Sequence, residues 1–274
     1  MECVAVPVRG QRQLRGSSCT VLLAAGFLFL AAPLLGLEGR TFFGRSPEGS
    51  KAKAQRILLS ADAVCFDVDS TVVETEGIDL LAKCHKVEEA VKNLTRNAME
   101  GNVKFQDALA ARLDLMQPTR HSLEECLKSE GKPRFTAGVI EVVRRLHARG
   151  THVFLVSGGF RVMIEPIAEE LKIPQDRIFA NTILFDEEGN YAGFDETEPT
   201  SRDGGKPAVL KQLKRKRGYK NMVMVGDGAT DLQARPPAKV FIGFGGIQIR
   251  EKVYQEADWF VLDFKEVLDV LPEA

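Results

Sequence analysis

The chain has 274 residues, of which 44% are hydrophobic and 27% charged, and its formal net charge at pH 7 is −1. This length and apolar fraction are sufficient for one α/β core with an inserted subdomain. The first 50 residues hold five arginines and three glutamates, which leaves 32 basic and 35 acidic side chains in the remainder. Nucleic-acid binding needs an excess of basic side chains on one face, so we expect no nucleic-acid partner.

The N-terminus carries three arginines within its first 15 residues, then an apolar stretch over residues 21–37, and then a polar segment. Glycine and proline interrupt the stretch, which makes it marginal for a membrane span and favours a targeting segment. We therefore expect a leader and linker over residues 1–55, and no stable membrane partner once the leader is removed.

The segment Thr41-Phe42-Phe43-Gly44-Arg45 resembles the transit region in the two-part leaders of algae with complex plastids. This resemblance favours an organellar destination, and among organelles the plastid. A mitochondrial presequence, simple secretion and a signal-anchor are the alternatives.

The first predicted strand, Val64-Cys65-Phe66, ends in two aspartates, Asp67 and Asp69. Strand side chains alternate between faces, so both carboxylates emerge on the same side. Ligands bind at the carboxyl ends of strands in open α/β sheets, and paired carboxylates there need a cation or a proton to relieve their repulsion. The pattern fits a nucleophile, an acid-base partner and a magnesium site.

Residues 77–130 show helical periodicity, most clearly at 87–99 and 105–116, with almost no strand signal. This segment interrupts the sheet after its first strand. It predicts a helical cap inserted into an α/β core that is formed by residues 56–76 and 131–274.

The core then continues with a predicted helix at 138–149, a strand at 152–156 and a helix at 160–171. This βαβ rhythm predicts a parallel sheet. Residues 182–185 and 191–194 predict a β-hairpin, and strands are expected near 222–225, 239–242 and 259–262. The expected fold class is α/β, with a Rossmann-like parallel sheet, an inserted helical-bundle cap and a small β-hairpin.

Outside the leader the chain has three cysteines, Cys65, Cys84 and Cys126, without CxxC spacing. The odd number favours a reducing compartment over a disulfide framework. Cys65 lies on the apolar strand next to the first aspartate. We expect it to be a small core residue rather than a redox switch.

Three further motifs follow the two aspartates in chain order, and the first and the last of them, taken alone, would indicate only ordinary turns after a strand. They are Ser157-Gly158-Gly159 after the apolar run at 153–156, Lys206 after Gly204-Gly205, and Gly226-Asp227-Gly228-Ala229-Thr230-Asp231 after the apolar run at 222–225. Together and in this order, the four motifs resemble the signature of the haloacid dehalogenase superfamily of phosphatases.

From about residue 59 onward the chain also resembles the phosphoserine phosphatase family. The matching segments are Asp67-Val68-Asp69-Ser70-Thr71, Glu76-Gly77-Ile78-Asp79, Ser157-Gly158-Gly159-Phe160-Arg161, Tyr191-Ala192-Gly193-Phe194-Asp195 and the motif at 226–231. The resemblance implies Mg²⁺-dependent hydrolysis of O-phospho-L-serine to L-serine and phosphate, the last step of serine biosynthesis.

The resemblance also implies a role for each motif residue. Asp67 would be the nucleophile that forms an aspartyl-phosphate, and Asp69 the acid and base. The phosphate group of the substrate would be bound by Ser157, Gly158, Lys206 and Thr230. Mg²⁺ would be held by the side chains of Asp67 and Asp227 and the main-chain carbonyl of Asp69, while Asp231 would position Lys206 or a water.

For the amino-acid part of the substrate, the resemblance implies that Glu76 binds the ammonium and Arg112 the carboxylate. Met99 and Phe105 would close an apolar lid over the site, although core packing would explain both residues equally well. Glu100 adds a carboxylate where some members have glycine.

Two other functions stay open at this point. The first is a related phosphatase for another small phosphomonoester, such as phosphohomoserine or a sugar phosphate. The second is a catalytically silent scaffold that binds a phospho-ligand, which the intact catalytic motifs disfavour. A homodimer is also possible.

Overall fold

The computed structural model of the chain describes residues 48–99 and 103–273. The helices of these ranges are α1 (Glu48–Leu59), α2 (Gly77–Cys84), α3 (Glu88–Met99), α4 (Phe105–Met116), α5 (Arg120–Glu130), α6 (Val139–Ala148), α7 (Arg161–Glu170), α8 (Gly205–Arg217), α9 (Ala229–Leu232), α10 (Glu251–Glu256) and α11 (Phe264–Leu268). The strands are β1 (Ala63–Phe66), β2 (His152–Phe160), β3 (Ile178–Asn181), β4 (Ile183–Phe185), β5 (Tyr191–Phe194), β6 (Met222–Gly226), β7 (Val240–Phe244) and β8 (Trp259–Val261). Two short 3-10 helices lie at Gln175–Arg177 and Pro199–Ser201.

Six strands form one sheet in the order β3-β2-β1-β6-β7-β8, and every neighbouring pair is parallel. Strand β1 is central, with its Cys65 opposite Phe154 of β2 and Met224 of β6. All residues of β1, β6 and β7 are buried, as expected for a parallel sheet that is covered on both faces. The predicted α/β fold with a parallel sheet is confirmed.

The alternation of strand side chains divides the core into two apolar layers. Val64 and Phe66 of β1 belong to the layer beneath α1, α6, α7 and α11. Ala63 and Cys65 belong to the opposite layer, beneath α8, α9 and α10. Helices on both faces therefore hold the central strand, and with it the residues that follow its carboxyl end, in place.

The helices α2 to α5 lie between β1 and β2 in the chain and form a separate apolar cluster, which we call the helical insertion. The apolar cluster of the insertion includes Leu81, Leu109 and Leu113. These side chains pack in one cluster with Phe160 of β2 and Ile183 of β4. The antiparallel strands β4 and β5 form the predicted hairpin, which contacts α4. The insertion thus rests on the sheet near the carboxyl end of β2.

The cysteine prediction is wrong, because Cys84 at the end of α2 and Cys126 in α5 form a disulfide. The two residues are 42 positions apart, and only the packing of α2 against α5 brings them together. The third cysteine, Cys65, is free and buried, and burial raises the pKa of its thiol. An odd number of cysteines therefore did not exclude a bridge, since the remaining thiol belongs to the core.

The first helix also differs from the predicted boundary at residue 56. Helix α1 begins at Glu48, and it buries Ala54, Ile57 and Leu58 in the layer next to β1. The folded core thus includes residues that the sequence analysis assigned to the linker. Residues 1–47 are not among the described residues, so the expectations about them stay predictions. None of the described helices has the length and apolar character needed to cross a bilayer.

Candidate active site

The predicted site residues follow the carboxyl ends of the three central strands. Asp67 comes directly after β1, Asp227 directly after β6, and Ser157 lies in the last part of β2, which extends beyond its predicted end. Strand β1 has β2 on one side and β6 on the other, so the crossover connections on its two sides run in opposite directions. Open α/β sheets bind ligands at such a switch point.

Asp67 is almost fully buried, and both of its carboxylate oxygens are held. The main-chain N–H of Val68 donates to Oδ1 at 2.7 Å, and Lys206 Nζ lies 2.8 Å from Oδ2. The Asp67 N–H also donates to the Val225 carbonyl at 2.9 Å, which continues the pairing between β1 and β6. The carboxylate is therefore fixed in one orientation at the centre of the sheet edge.

Asp69 lies in a narrow space between two glycines. The N–H of Gly77 donates to its Oδ1 at 3.0 Å, and a Cβ atom at Gly159 would be only 2.6 Å from its Oδ2. Burial, followed by repulsion from Glu76 and Asp67, raises the pKa of Asp69 well above its usual value. A carboxyl group in this position favours the protonated form, as a general acid must.

Lys206 lies at the start of α8 and is buried between two carboxylates. Its Nζ lies 2.8 Å from Asp67 Oδ2 and 2.7 Å from Asp231 Oδ1. Burial disfavours the charged ammonium, but the carboxylates of Asp231 and Asp67 outweigh it and raise the pKa of Lys206. The second oxygen of Asp231 accepts from the Gly228 N–H at 3.0 Å, so the lysine is anchored to the loop after β6.

Ser157, Gly158 and Gly159 lie in the irregular last part of β2, and their polar groups are individually fixed. The N–H of Gly159 donates to Ser157 Oγ at 2.9 Å, and Asn181 Nδ2 donates to the Gly158 carbonyl at 2.7 Å. Thr200 Oγ1 donates to Asn181 Oδ1 at 2.8 Å. Asn181 and Thr200 were not predicted from the sequence, because they come from the end of β3 and from a turn without a catalytic motif.

The carboxylates of Asp67, Asp227 and Asp231 form the one group of potential metal ligands found among the described residues. Their oxygens lie within 4.8 Å of one another, and all three residues are buried. Burial, together with repulsion from Asp67, raises the pKa of Asp227 to about 6. Hard oxygen donors of this kind fit Mg²⁺.

Arg250 is a further residue at this cluster that the sequence analysis missed. Its Nε donates to Asp227 Oδ2 at 2.9 Å, and its Nη2 lies 4.0 Å from Glu76 Oε1. The residue follows β7 in a loop without a motif, so no sequence signal distinguished it from a solvated arginine. It links the loop after β7 to the acidic cluster and to the start of the insertion.

A cavity of about 640 Å³ opens above these groups. The structure brings most of the predicted site residues to its wall: Asp67, Asp69, Glu76, Phe105, Arg112, Ser157, Gly158, Lys206, Asp227 and Thr230. Asp231 lies beneath the wall, where its side chain is fully buried. The Met99 side chain and Glu100 lie outside the described residues, so the expectations about them stay predictions.

The helical insertion supplies the part of the wall that faces the sheet edge. Ser70 Oγ donates to Glu76 Oε1 at 2.6 Å, and burial with repulsion from Asp67 raises the pKa of Glu76. Arg112 Nε donates to the Ala108 carbonyl at 2.8 Å, and burial lowers the pKa of its guanidinium. The Phe105 ring lies against Gly158, where an added Cβ would be 2.9 Å from Cζ. One acidic group directly before the insertion and one basic group within it thus face the same cavity.

Comparison with known proteins identifies relatives of this arrangement. A family model for haloacid dehalogenase-like hydrolases matches residues 61–237. Phosphoserine phosphatase of Bos taurus is 52% identical over 224 residues, which cover 82% of this chain and 99% of the relative. The chloroplastic phosphoserine phosphatase of Arabidopsis thaliana is 48% identical over 229 residues, which cover 82% of this chain and 77% of the relative.

Solved structures show the same likeness. A phospho-aspartyl intermediate analogue of phosphoserine phosphatase superposes with a TM-score of 0.67 at 30% identity, over 77% of this chain and 99% of that one. The six-stranded parallel sheet with its surrounding helices is the fold of that structure. The chain belongs to the phosphoserine phosphatase family of haloacid dehalogenase-like hydrolases.

Proposed function

We propose that the chain hydrolyses O-phospho-L-serine to L-serine and phosphate through an aspartyl-phosphate on Asp67. The observation that carries the proposal is the placement of Asp67 and Asp69 in one cavity, with Lys206 paired to the first and a raised pKa on the second. Family membership supports the same chemistry, since one of the related structures is a phospho-aspartyl intermediate analogue.

In the first step, a carboxylate oxygen of Asp67 attacks phosphorus and the bond from phosphorus to the serine oxygen breaks. The bonding electron pair stays on the serine oxygen, which takes the proton of Asp69. The raised pKa of Asp69 supports this role, because the acid must carry its proton when the substrate arrives. L-Serine leaves with an intact hydroxyl group.

In the second step, the ionised Asp69 takes a proton from a water molecule, whose oxygen attacks phosphorus. The acyl–phosphate bond breaks, its electron pair returns to Asp67, and inorganic phosphate leaves. Asp69 is protonated again at the end, so the residue acts first as acid and then as base. No other proton donor is needed to complete the cycle.

The phosphoryl oxygens develop charge in both steps and need fixed donors. Ser157 Oγ, the Gly158 N–H and Lys206 Nζ are the donors that we assign to them, with Thr230 at the cavity wall. Mg²⁺, for which Asp67, Asp227 and the Asp69 main-chain carbonyl would be ligands, would neutralise charge on these oxygens when bound. Asp231 holds Lys206 in position through its 2.7 Å contact.

Specificity for an amino-acid phosphate follows from Glu76 and Arg112. The two side chains have opposite charges and face one cavity, so they complement the ammonium and the carboxylate of phosphoserine. A sugar phosphate offers neither group, and phosphohomoserine offers both at a greater distance from phosphorus. This reaction would form the last step of serine biosynthesis.

The test is an Arg112→Ala variant, assayed with L-phosphoserine and with an aryl phosphate that has no carboxylate. We expect kcat/KM for L-phosphoserine to fall about 100-fold, because the buried carboxylate loses its charged partner, while the aryl phosphate rate changes little. Arg120→Ala is the matched control, since Arg120 is an exposed arginine of the same insertion. Equal losses on both substrates would contradict the assigned role.

We further propose that the N-terminal segment is a plastid-targeting leader. The arginine-containing start, the apolar stretch at 21–37 and the phenylalanines at 42 and 43 support it, as does the chloroplastic relative. Residues 1–47 fused to a fluorescent protein in an alga with complex plastids should direct it to the plastid. Retention in the cytosol, or location in mitochondria, would contradict the proposal.

A further inference from the structure

We propose that Thr200 is a positioning residue that acts through Asn181 to orient the Ser157 hydroxyl toward the phosphoryl group. The inference deepens and rests on the proposed function, because it concerns the same phosphate-binding residues. It rests on a chain of three hydrogen bonds that runs from the turn at 199–201 to Ser157 in the last part of β2. Thr200 itself is not assigned any contact with the substrate.

The first two hydrogen bonds can run in only one direction. The Gly158 carbonyl can only accept, so the amide nitrogen of Asn181 must face it, as it does at 2.7 Å. The amide oxygen then faces Thr200 Oγ1 at 2.8 Å, and the hydroxyl must donate. Asn181 is fully buried and Thr200 is 4% exposed, so water does not compete for these contacts. Thr200 thereby satisfies the amide oxygen and holds the amide in the orientation that the Gly158 carbonyl requires.

The third hydrogen bond transmits this orientation to Ser157. The peptide group between Gly158 and Gly159 is held at its carbonyl by Asn181, and its N–H donates to Ser157 Oγ at 2.9 Å. A hydroxyl that accepts from this N–H keeps its own proton free for another acceptor. Ser157 lies on the cavity wall, so that proton is available to a phosphoryl oxygen.

The turn that carries Thr200 also touches the helix of the second phosphate-binding group. A Cβ atom at Gly205 would be 2.2 Å from the Pro199 carbonyl oxygen and 2.8 Å from Thr200 Cα, so the turn lies directly against the start of α8. Lys206 follows at the next position. The same turn is therefore in contact with both β2, which carries Ser157, and α8, which carries Lys206.

The experiment compares Thr200→Val, which keeps the shape but removes the donor, with Thr200→Ser, which keeps the donor. We expect Thr200→Val to lower kcat about tenfold on L-phosphoserine and on an aryl phosphate alike, because the phosphate site and not substrate selection is affected. Thr200→Ser should restore most of the rate. The thermal midpoint of both variants should stay close to that of the unmodified chain.

A second readout does not depend on turnover: the Kd for inorganic phosphate, measured by calorimetry with Mg²⁺, should rise several-fold in Thr200→Val and stay nearly unchanged in Thr200→Ser. If the unmodified chain does not hydrolyse L-phosphoserine, the proposed function is wrong. The aryl phosphate kinetics and the Kd for inorganic phosphate would still decide the role of Thr200. If Thr200→Val does not fold, Thr200→Ala replaces it in the same comparison.

Unchanged kcat and phosphate Kd in Thr200→Val would overturn the inference. So would equal damage in Thr200→Val and Thr200→Ser, or a loss of rate that only follows a loss of thermal stability. These outcomes would indicate that Thr200 contributes packing alone.

Discussion

The residues around Asp69 show how closely the backbone approaches the reacting groups. Gly77 donates its N–H to one carboxyl oxygen, and Gly159 leaves no room for a side chain beside the other. Neither glycine has a positive φ angle, and close approach requires glycine only at 159, since a Cβ atom at Gly77 would lie 3.5 Å from Asp69 Oδ1. The carboxyl group is thus held between the last part of β2 and the first turn of α2.

A Gly159→Ala substitution should therefore displace Asp69 rather than unfold the chain. The new Cβ would lie 2.6 Å from Asp69 Oδ2, so the acid must move, and we expect kcat to fall between about 10- and 100-fold. Steady-state kinetics and a thermal melt measure the two effects separately. Gly49→Ala is the control, because no atom lies within 4 Å of the added Cβ. A Gly159→Ala variant with unchanged kcat would contradict this geometry.

At the residue scale, the sequence predicted the groups that carry a motif and missed those that do not. Asp67 and Asp69 were predicted to share one side because alternation along a strand is a local property. Arg250 and Asn181 reach the site through β7 and β3, whose positions depend on the order of strands in the sheet. A single sequence holds no local signal for such contacts.

Among the elements, the helical insertion is braced by the bond between Cys84 and Cys126. Two further contacts join α2 to α5 there: His85 Nε2 lies 2.9 Å from Ser122 Oγ, and Lys83 Nζ lies 3.1 Å from Glu130 Oε1. Helix α2 starts at Gly77, so the brace holds the helix that directly follows Glu76, the ammonium-binding candidate. The odd number of cysteines did not predict this disulfide, because its formation depends on how α2 packs against α5 and not on the spacing of the cysteines in the sequence.

Reduction of this disulfide should destabilise the chain. A bridge that closes a loop of this separation lowers the entropy of the unfolded chain, which stabilises the fold by up to about 4 kcal/mol. Thermal melts with and without dithiothreitol should show a lower midpoint in the reductant. A Cys84→Ser, Cys126→Ser double variant should melt at that lower midpoint in both conditions. Equal midpoints for the oxidised and reduced chain would contradict the assignment.

Across the whole molecule, the alternation of strands and helices was enough to predict the parallel sheet and the insertion. The start of the core was placed too late, because α1 has a weak apolar pattern and its burial depends on β1 and the strands beside it. The residue types at positions 48–55 alone gave no signal for this burial. The predicted site residues nevertheless lie together at the carboxyl ends of the strands, which is where a parallel α/β sheet binds its ligands.

Removal of divalent cations should abolish activity without unfolding the chain. The acidic cluster already has basic partners, since Lys206 pairs with Asp67 and Asp231, and Arg250 pairs with Asp227. We therefore expect a chelator to eliminate phosphate release while the circular dichroism spectrum and the thermal midpoint change little. Added Mg²⁺ should restore the rate. Full activity after exhaustive chelation would contradict the proposed magnesium site.

The most direct test of the central claim is phosphate release with Mg²⁺ by residues 48–274, which include the whole of α1. The substrates are L-phosphoserine, phosphothreonine, phosphohomoserine, a sugar phosphate and an aryl phosphate, with Asp67→Asn as the inactive control. We predict a strong preference for L-phosphoserine that the control abolishes. Preference for another phosphomonoester would contradict the substrate assignment, and release that persists in Asp67→Asn would contradict the mechanism.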